Sequence, residues 1–328
     1  MSMRSFLSRI LTLIVILTTQ FGFGQEQFRI SGNIREGDTG ESLFGASVYL
    51  EGTSIGTTSN DYGFYSISVE EGSYTLVISY LGFDDIREEI DVTSNLNLDF
   101  ELQEASNQLN EVILQSEDIE DINIAKPEMG VNQLKVATIK QIPAVLGEVD
   151  VIKSIQLLPG VTNNGEGSSG FNVRGGSVDQ NLVLLDEAII YNTSHLLGFF
   201  SIFNADAIKD IKLYKGNIPA KYGGRASSVL DVRQKDGNNK RFAMTGGIGS
   251  VSSRLALEGP LVKDRSSYLL AGRGSYAHLF LKLNEETEDN SAYFYDLNLK
   301  TNFAISDKDQ LFLSAYFGRD VFTLAENF

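Results

Sequence analysis

Hydrophobic and polar positions alternate with period two over much of this chain. In the clearest run Tyr293, Tyr295, Leu297, Leu299, Thr301, Phe303 and Ile305 share one parity, and Phe294, Asp296, Asn298, Lys300, Asn302 and Ala304 the other. This predicts one long strand with an apolar and a wet face. Its length suits a tilted strand crossing lipid, which needs roughly 9 to 11 residues. After a turn at residues 307–310, Leu311, Leu313, Ala315 and Phe317 repeat the pattern. Earlier, Ser253, Leu255 and Leu257 precede Gly259-Pro260, and residues 268–281 read as another long strand. A soluble sandwich also alternates. Several strands of this length, with aromatic residues near their ends and short polar turns, favour a membrane barrel. Four strands cannot close, because such barrels need about eight or more and lipid tolerates no open edge. Residues 236–328 are therefore expected to begin a barrel that a longer protein completes.

Upstream, the strands shorten. Residues 28–32, 46–50 and 74–80 are rich in aromatic and branched side chains, and an Asn60-Asp61 turn divides residues 56–67. This spacing predicts a β-sandwich over residues 25–103. Phe64 with Ile67, and Leu76 with Ile78, are its expected core. Residues 104–130 form a linker, and the stretch from Glu101 to Asp121 that leads into it carries seven acidic residues and no basic one. Inside it lies a short apolar patch, Leu109-Asn110-Glu111-Val112-Ile113-Leu114. The branched pair Val112 and Ile113 favours extended backbone, suited to pairing with a partner's sheet edge, although a last sandwich strand reads the same way. Residues 131–235 mix short elements. Val149, Ile152, Ile155 and Gln156 have helical spacing ending at Pro159-Gly160, and residues 165–170 are a Gly/Ser loop. Strands follow at 171–176, 181–186 and 227–232, residues 205–216 read as a short turn and then a strand, and 221–226 is a glycine turn.

The first 24 residues change the picture most. Arg4 and Arg9 precede an apolar run over residues 10–18, and Phe21-Gly22-Phe23-Gly24 closes it. This is the pattern of a secretory signal peptide, cut after Gly24, and it is too short to span a bilayer. The chain holds 27 basic and 43 acidic residues, a net charge of −16, and losing Arg4 and Arg9 makes it more negative. That argues against a nucleic-acid partner. Without cysteine there are no disulfides, and His195 and His278 alone supply no metal set, so no cofactor is expected. Neither a phosphate loop nor a dinucleotide fingerprint is present.

Four pieces of the first zone, among them Thr57-Thr58-Ser59-Asn60-Asp61-Tyr62-Gly63-Phe64-Tyr65 and Ser79-Tyr80-Leu81-Gly82-Phe83, resemble the carboxypeptidase-regulatory-like domain. Asn172-Val173-Arg174-Gly175, Leu184-Leu185-Asp186, Ile208-Lys209-Asp210-Ile211 and Tyr222-Gly223-Gly224-Arg225-Ala226, in that order, resemble the plug domain of TonB-dependent receptors of the Bacteroidota type. The resemblance implies a multidomain receptor in the outer membrane: an N-terminal β-sandwich, a small α/β plug, and the first strands of an antiparallel barrel of about 22 strands. It implies active import of a scarce ligand (an iron chelate, cobalamin, a glycan or a peptide) driven by a TonB-type periplasmic motor protein. The sandwich and coupling segment would face the periplasm, and the barrel outer-membrane lipid. Leu109, Glu111, Val112, Ile113 and Leu114 would then be the coupling strand. Arg174, Asp186 and Arg225 are candidate anchors of plug to barrel wall, and Tyr191, Asn192 and His195 candidates near the ligand. Leu185-Asp186-Glu187-Ala188 departs from the Leu-Val-Asp-Gly pattern of the glycan importers, which weighs against an oligosaccharide. A ligand-sensing signal transducer is the alternative. A surface adhesin or hydrolase is weaker, since His195 with Asp186, Glu187 and Ser194 lacks a nucleophile elbow; no catalytic residue is assigned.

Overall fold

The computed structural model describes residues 27–105, 130–140, 148–163, 165, 170–283, 288–306 and 309–323. The expected signal peptide, the Leu109–Leu114 patch and most of the 165–170 loop lie outside them. Two compact units are present, one of residues up to Ile34 and from Leu43 onward through the sandwich, the other of Arg35–Ser42 and the chain after the linker.

The first unit is a sandwich of eight strands: β1 (Gln27–Glu36), β2 (Ser47–Leu50), β3 (Gly56–Thr58), β4 (Phe64–Glu70), β5 (Gly72–Ser79), β6 (Ile86–Val92), β7 (Leu96–Asn97) and β8 (Phe100–Leu102). One sheet runs β4-β1-β7, with β8 also on β1, and the other runs β3-β2-β5-β6. Ile30, Val48, Tyr65, Ile67, Val69, Leu76, Ile78 and Leu102 fill the space between them. Ile67, Leu76 and Ile78 lie in the core as expected, but Phe64 does not. It is 41% exposed, while Tyr65, on the parity of Ile67 and Val69, is buried. The parity is set at the turn: Asn60 Oδ1 accepts from the N–H groups of Tyr62 (2.9 Å) and Phe64 (3.0 Å), and Gly63 takes φ +78°. The chain thus enters β4 with Phe64 outward. The buried Tyr65 hydroxyl donates to Leu98 O (2.9 Å), and burial, then Asp99 and Glu88, raises its pKa and keeps it a donor. Gly32 cannot be replaced, since a Cβ there would lie 1.8 Å from Leu98 O.

Among the described residues the second unit holds two five-stranded sheets, two two-stranded ones (β10-β11 and β14-β15 below) and short helices. Its elements are β9 (Val131–Lys135), α1 (Val136–Ile139), α2 (Val151–Ile155), β10 (Val161–Asn163), β11 (Phe171–Val173), β12 (Asn181–Leu185), β13 (Ala188–Ile189), β14 (Ser194–His195), β15 (Phe200–Ser201), β16 (Ile208–Tyr214) and β17 (Ser228–Gln234), then β18 (Ala243–Ile248), β19 (Ser252–Val262), β20 (Ser266–Ser275), α3 (His278–Leu281), β21 (Ser291–Ala304) and β22 (Gln310–Thr323). The mixed sheet has order β13-β12-β17-β16-β9, with β12 parallel to β17. Its core packs Val183, Leu185, Ile211, Leu213, Leu230 and Val232 against Ile152 and Ile155 of α2. Asp150 caps α2, accepting from Lys153 N (3.0 Å). The helix is one short turn, so Val149 and Gln156 flank it rather than lie within it.

Strands β18 to β22 form a second sheet, each antiparallel to the next. Among the described residues this sheet has five strands, where the alternation predicts four. It also extended β20 too far: the strand ends at Ser275, and residues 278–281 make the helical turn α3. In β21 the alternation is inverted relative to a soluble sheet. Asp296, Asn298 and Lys300 are buried at 7% exposure or less, whereas Tyr295 and Leu297 are 40% and 45% exposed. No helix among the described residues is long and apolar enough to cross a membrane, which says nothing of strands.

Candidate functional site

The polar face of the β18–β22 sheet is buried because the mixed sheet's loops pack on it. The first contact centres on Asp186. The connection from β12 to β13 is two residues long, and both Asp186 (φ +46°) and Glu187 (φ +70°) are left-handed. Tight hairpins of that kind prefer glycine or asparagine. Here the strained backbone aims the Asp186 carboxylate at the wall. Its Oδ1 accepts from Gln234 N (2.9 Å) and lies 3.4 Å from Lys300 Nζ. Its Oδ2 accepts from Ser314 Oγ (2.6 Å) and Gln234 Nε2 (3.1 Å). Lys300 also lies 3.0 Å from Asp236 and donates to Gln234 O (2.9 Å). Burial alone would raise the Asp236 carboxyl, yet Lys300 and Lys209 outweigh it and hold the pKa below its ordinary value. Gly237, at φ +85°, completes this seam, since a Cβ there would meet Tyr268 O at 2.4 Å.

The second contact centres on Arg273, projecting from β20 and almost wholly buried. Its guanidinium binds Asp296 on the neighbouring strand through Nε (2.9 Å) and Nη2, Glu148 through Nη1, and Ser201 O through Nη2 (2.7 Å). Glu148 also accepts from Ser252 Oγ (3.0 Å). Beside them His195 Nδ1 lies 2.9 Å from Asp320, and its Nε2 lies 3.1 Å from the Tyr316 hydroxyl and 3.3 Å from Asp296. The imidazole stacks on Phe294 at 4.3 Å between centroids. A third contact joins Asp206 to Lys140 (2.8 Å) and to Arg254 of β19 (2.7 Å). Burial pushes the Asp206 carboxyl up, but these two cations overcome it and lower its pKa.

Of the three expected anchors, Asp186 contacts the β18–β22 sheet, through Lys300 and Ser314. Arg174 is an exposed turn residue at φ +49° whose N–H donates to Gly160 O (2.9 Å). Arg225 is exposed and donates to Gly224 O (3.0 Å). Neither makes an ion pair with the sheet among the described residues. Tyr191, 84% exposed, and Asn192 line an open hollow of about 390 Å³ with Arg225 and Asp179. His195 is elsewhere, 2% exposed in the wall contact rather than on an open ligand face. Glu148, Arg273, Asp296 and Lys300 escaped the sequence reading. Asp296 and Lys300 carried one legible signal, charge on the wet parity of an otherwise apolar strand, whereas Glu148, just ahead of α2, carried none.

A small α/β unit with a buried polar seam against the wet face of an outward-apolar sheet is what a plug inside a barrel requires. Residues 130–229 match the family described as TonB-dependent Receptor Plug Domain, and residues 30–114 match the CarboxypepD_reg-like domain. The chain thus carries the plug domain of TonB-dependent receptors behind a CarboxypepD_reg-like domain. TonB-dependent receptor P3 of Formosa agariphila is 32% identical over 108 residues, 33% of this chain and 10% of that protein. TonB-dependent receptor SusC of Bacteroides thetaiotaomicron is 24% identical over 278 residues, 76% of this chain and 25% of that one. The chain thus spans about a quarter or less of the curated relatives it matches. Among solved structures, the siderophore receptor PirA of Acinetobacter baumannii superposes with a TM-score of 0.45 at 19% identity, over 60% of this chain and 32% of that one. The family is one of receptors rather than enzymes.

Proposed function

We propose that this receptor imports a scarce ligand across the outer membrane, with the plug released stepwise from its wall by a TonB-type motor protein in the periplasm. The observation that carries the reading is the chemistry of the seam. Its centres, Asp186–Lys300 and Arg273–Glu148–Asp296, are hydrogen-bonded and charged. Polar contacts can be exchanged for water one at a time at modest net cost each. An apolar seam of equal area would have to be exposed to water at about 25 cal/mol per Å². Five strands leave an edge that lipid does not tolerate, so the working barrel takes further strands, about 22 in all. The pulling force enters through Leu109, Glu111, Val112, Ile113 and Leu114 by strand addition. Tyr191 and Asn192 belong to the ligand side, Asp186 to the latch. Arg174 and Arg225 are retained as secondary latch candidates and His195 as a wall contact. The ligand is an iron chelate, cobalamin, a glycan or a peptide.

The chain has no cysteine, so a cross-link can be introduced cleanly. Asp186→Cys with Ser314→Cys in the full-length receptor should bind ligand but stop importing it when oxidised, and resume on reduction. Val112→Pro should abolish import with binding and plug folding intact, because proline removes a donor and fixes φ. Import at the normal rate by the oxidised pair would reject gating at this seam. Normal import by Val112→Pro would move the coupling strand elsewhere.

A further inference from the structure

We propose that the short-turn end of the β18–β22 sheet carries a site for the phosphate headgroup of an acidic phospholipid in the periplasmic leaflet. This goes beyond import and rests on the sheet facing lipid, whatever the ligand. The chain is strongly acidic overall, yet Lys240, Arg241, Lys263 and Arg265 are gathered in two adjacent connections. Local bonding brings them together. Asn238 Oδ1 accepts from the N–H groups of Lys240 (2.9 Å) and Arg241 (2.8 Å), turning both outward at the entrance to β18. Asp264 N donates to Asn239 O (3.0 Å), tying the β19–β20 turn to that entrance. Lys240, Arg241 and Lys263 then line a hollow of about 380 Å³ whose acidic members are Asp264 and Asp38. Asp264 is already paired to Lys240 at 3.3 Å.

The surroundings identify the occupant. Phe242, Leu261, Val262 and Ile305 stand beside the hollow at 49% exposure or more, continuous with the apolar outer face of the sheet. A cationic hollow directly beyond an apolar band is where a headgroup sits when its acyl chains lie along that band. Short turns mark the periplasmic end of such barrels and long loops the outer end. The connections at 263–265 and 305–309 are both short, while the opposite end combines a short one at 249–251 with a long one at 276–290 that carries Glu285, Glu286, Glu288 and Asp289 and one lysine, Lys282. The charge asymmetry thus places the cations at the periplasmic phospholipid leaflet. Attraction of basic residues to anionic headgroups acts within about a Debye length, roughly 8 Å at physiological salt.

The test uses the full-length receptor purified in detergent, with native mass spectrometry and thermal unfolding read in parallel. Phosphatidylglycerol should stay bound and raise the unfolding midpoint, phosphatidylcholine with the same chains should do neither, and inorganic phosphate should leave the midpoint unchanged. Lys240→Gln/Arg241→Gln/Lys263→Gln should weaken phosphatidylglycerol binding about tenfold or more without moving the midpoint in detergent alone. If the triple variant fails to fold, Lys263→Gln on its exposed turn should still weaken retention measurably. Equal retention of the two lipids, an equal response to inorganic phosphate, or unchanged binding by a folded variant would overturn the site.

Discussion

The sandwich and the β18–β22 sheet are written with the same alternation and read it in opposite senses. In β4, Tyr65, Ile67 and Val69 are buried and the intervening Ser66 and Ser68 face water. In β21, Asp296, Asn298 and Lys300 are buried and Tyr295 and Leu297 face outward. Period two states that a strand has two unlike faces and leaves open which one is dry. The solvent beyond each face decides: water outside the sandwich and, on the function proposed above, lipid outside the sheet. The backbones differ as well. Among the described residues, every non-glycine residue with positive φ, Asp186, Leu196 and Leu197 among them, lies in the second unit, while the sandwich turns use Gly45, Gly52, Gly63 and Gly82. Strain of this kind is concentrated where function fixes a geometry. Two of these residues, Asp186 and Leu196, bond Ser314 and Asp320 of β22, whereas Arg174, Asn217 and Asp264 sit in turns away from that contact.

The largest effect should come from breaking a polar position on the buried face of the sheet. Asp296→Ala leaves Arg273 buried with one carboxylate fewer, which should cost about 3–5 kcal/mol in full-length receptor stability. The same change of parity in the sandwich, Ser66→Ala, should fall within about 0.5 kcal/mol. Denaturant unfolding of both variants checks this, and a cost for Asp296→Ala no larger than for Ser66→Ala would break the comparison. The apolar parities sharpen it. Ile67→Ala opens a cavity in the sandwich and should cost about 2–5 kcal/mol. Leu297→Ala faces acyl chains that flow into the gap, so it should lose only transfer energy, about 2 kcal/mol or less. Equal costs would place Leu297 in a packed protein core instead.

Much of this was legible because strand and turn signals are local. Branched and aromatic runs marked β2, β5, β12 and β16, and Asn60-Asp61 marked the β3–β4 turn. The charged β6, Ile-Arg-Glu-Glu-Ile-Asp-Val, carried no such signal, because its partners on β5 supply the burial. Phe64 was misplaced because the parity is set by how Asn60 caps the turn, not by hydrophobicity. The seam was the least legible part. Arg273 and Glu148 are 125 residues apart, and no spacing links them. His195 looked available for ligand because its immediate neighbours are loop-like, and the wall that buries it comes from β21 and β22.

A smaller effect follows from pH. The folded-state pKa of Asp206 is lowered, with burial opposing and Lys140 and Arg254 prevailing. A depressed carboxylate contributes stability that is fully present above its unfolded value, about 3.9, and is lost as pH falls through the folded value. Receptor stability should therefore decline on acidification below about pH 4. Asp206→Asn should be less stable at neutral pH and show a shallower acid limb. Identical acid limbs in the two proteins would remove Asp206 from the seam's electrostatics.

The smallest effect tests the backbone half of the comparison, and its sign should differ between the two regions. Gly63 sits at φ +78° in the sandwich turn, so Gly63→Ala forces a Cβ into a conformation it disfavours and should cost about 1 kcal/mol or more. Glu187 is the opposite case, a side chain held at φ +70° beside Asp186. Glu187→Gly relieves about 1 kcal/mol of strain or slightly more. Against this it gives up the 3.3 Å pair with Arg233, whose Glu187 side is 60% exposed and which such exposure limits to about 0–1 kcal/mol. Glycine also frees the unfolded chain, which offsets part of the gain. The net expectation is stabilisation by a few tenths of a kcal/mol, with the Asp186–Ser314 contact kept because Asp186 is untouched. Paired thermal unfolding of Gly63→Ala and Glu187→Gly reads both signs in one protein. A loss above about 1 kcal/mol for Glu187→Gly would mean that its side-chain contacts outweigh the strain, and that this turn is held by its charge rather than despite its backbone.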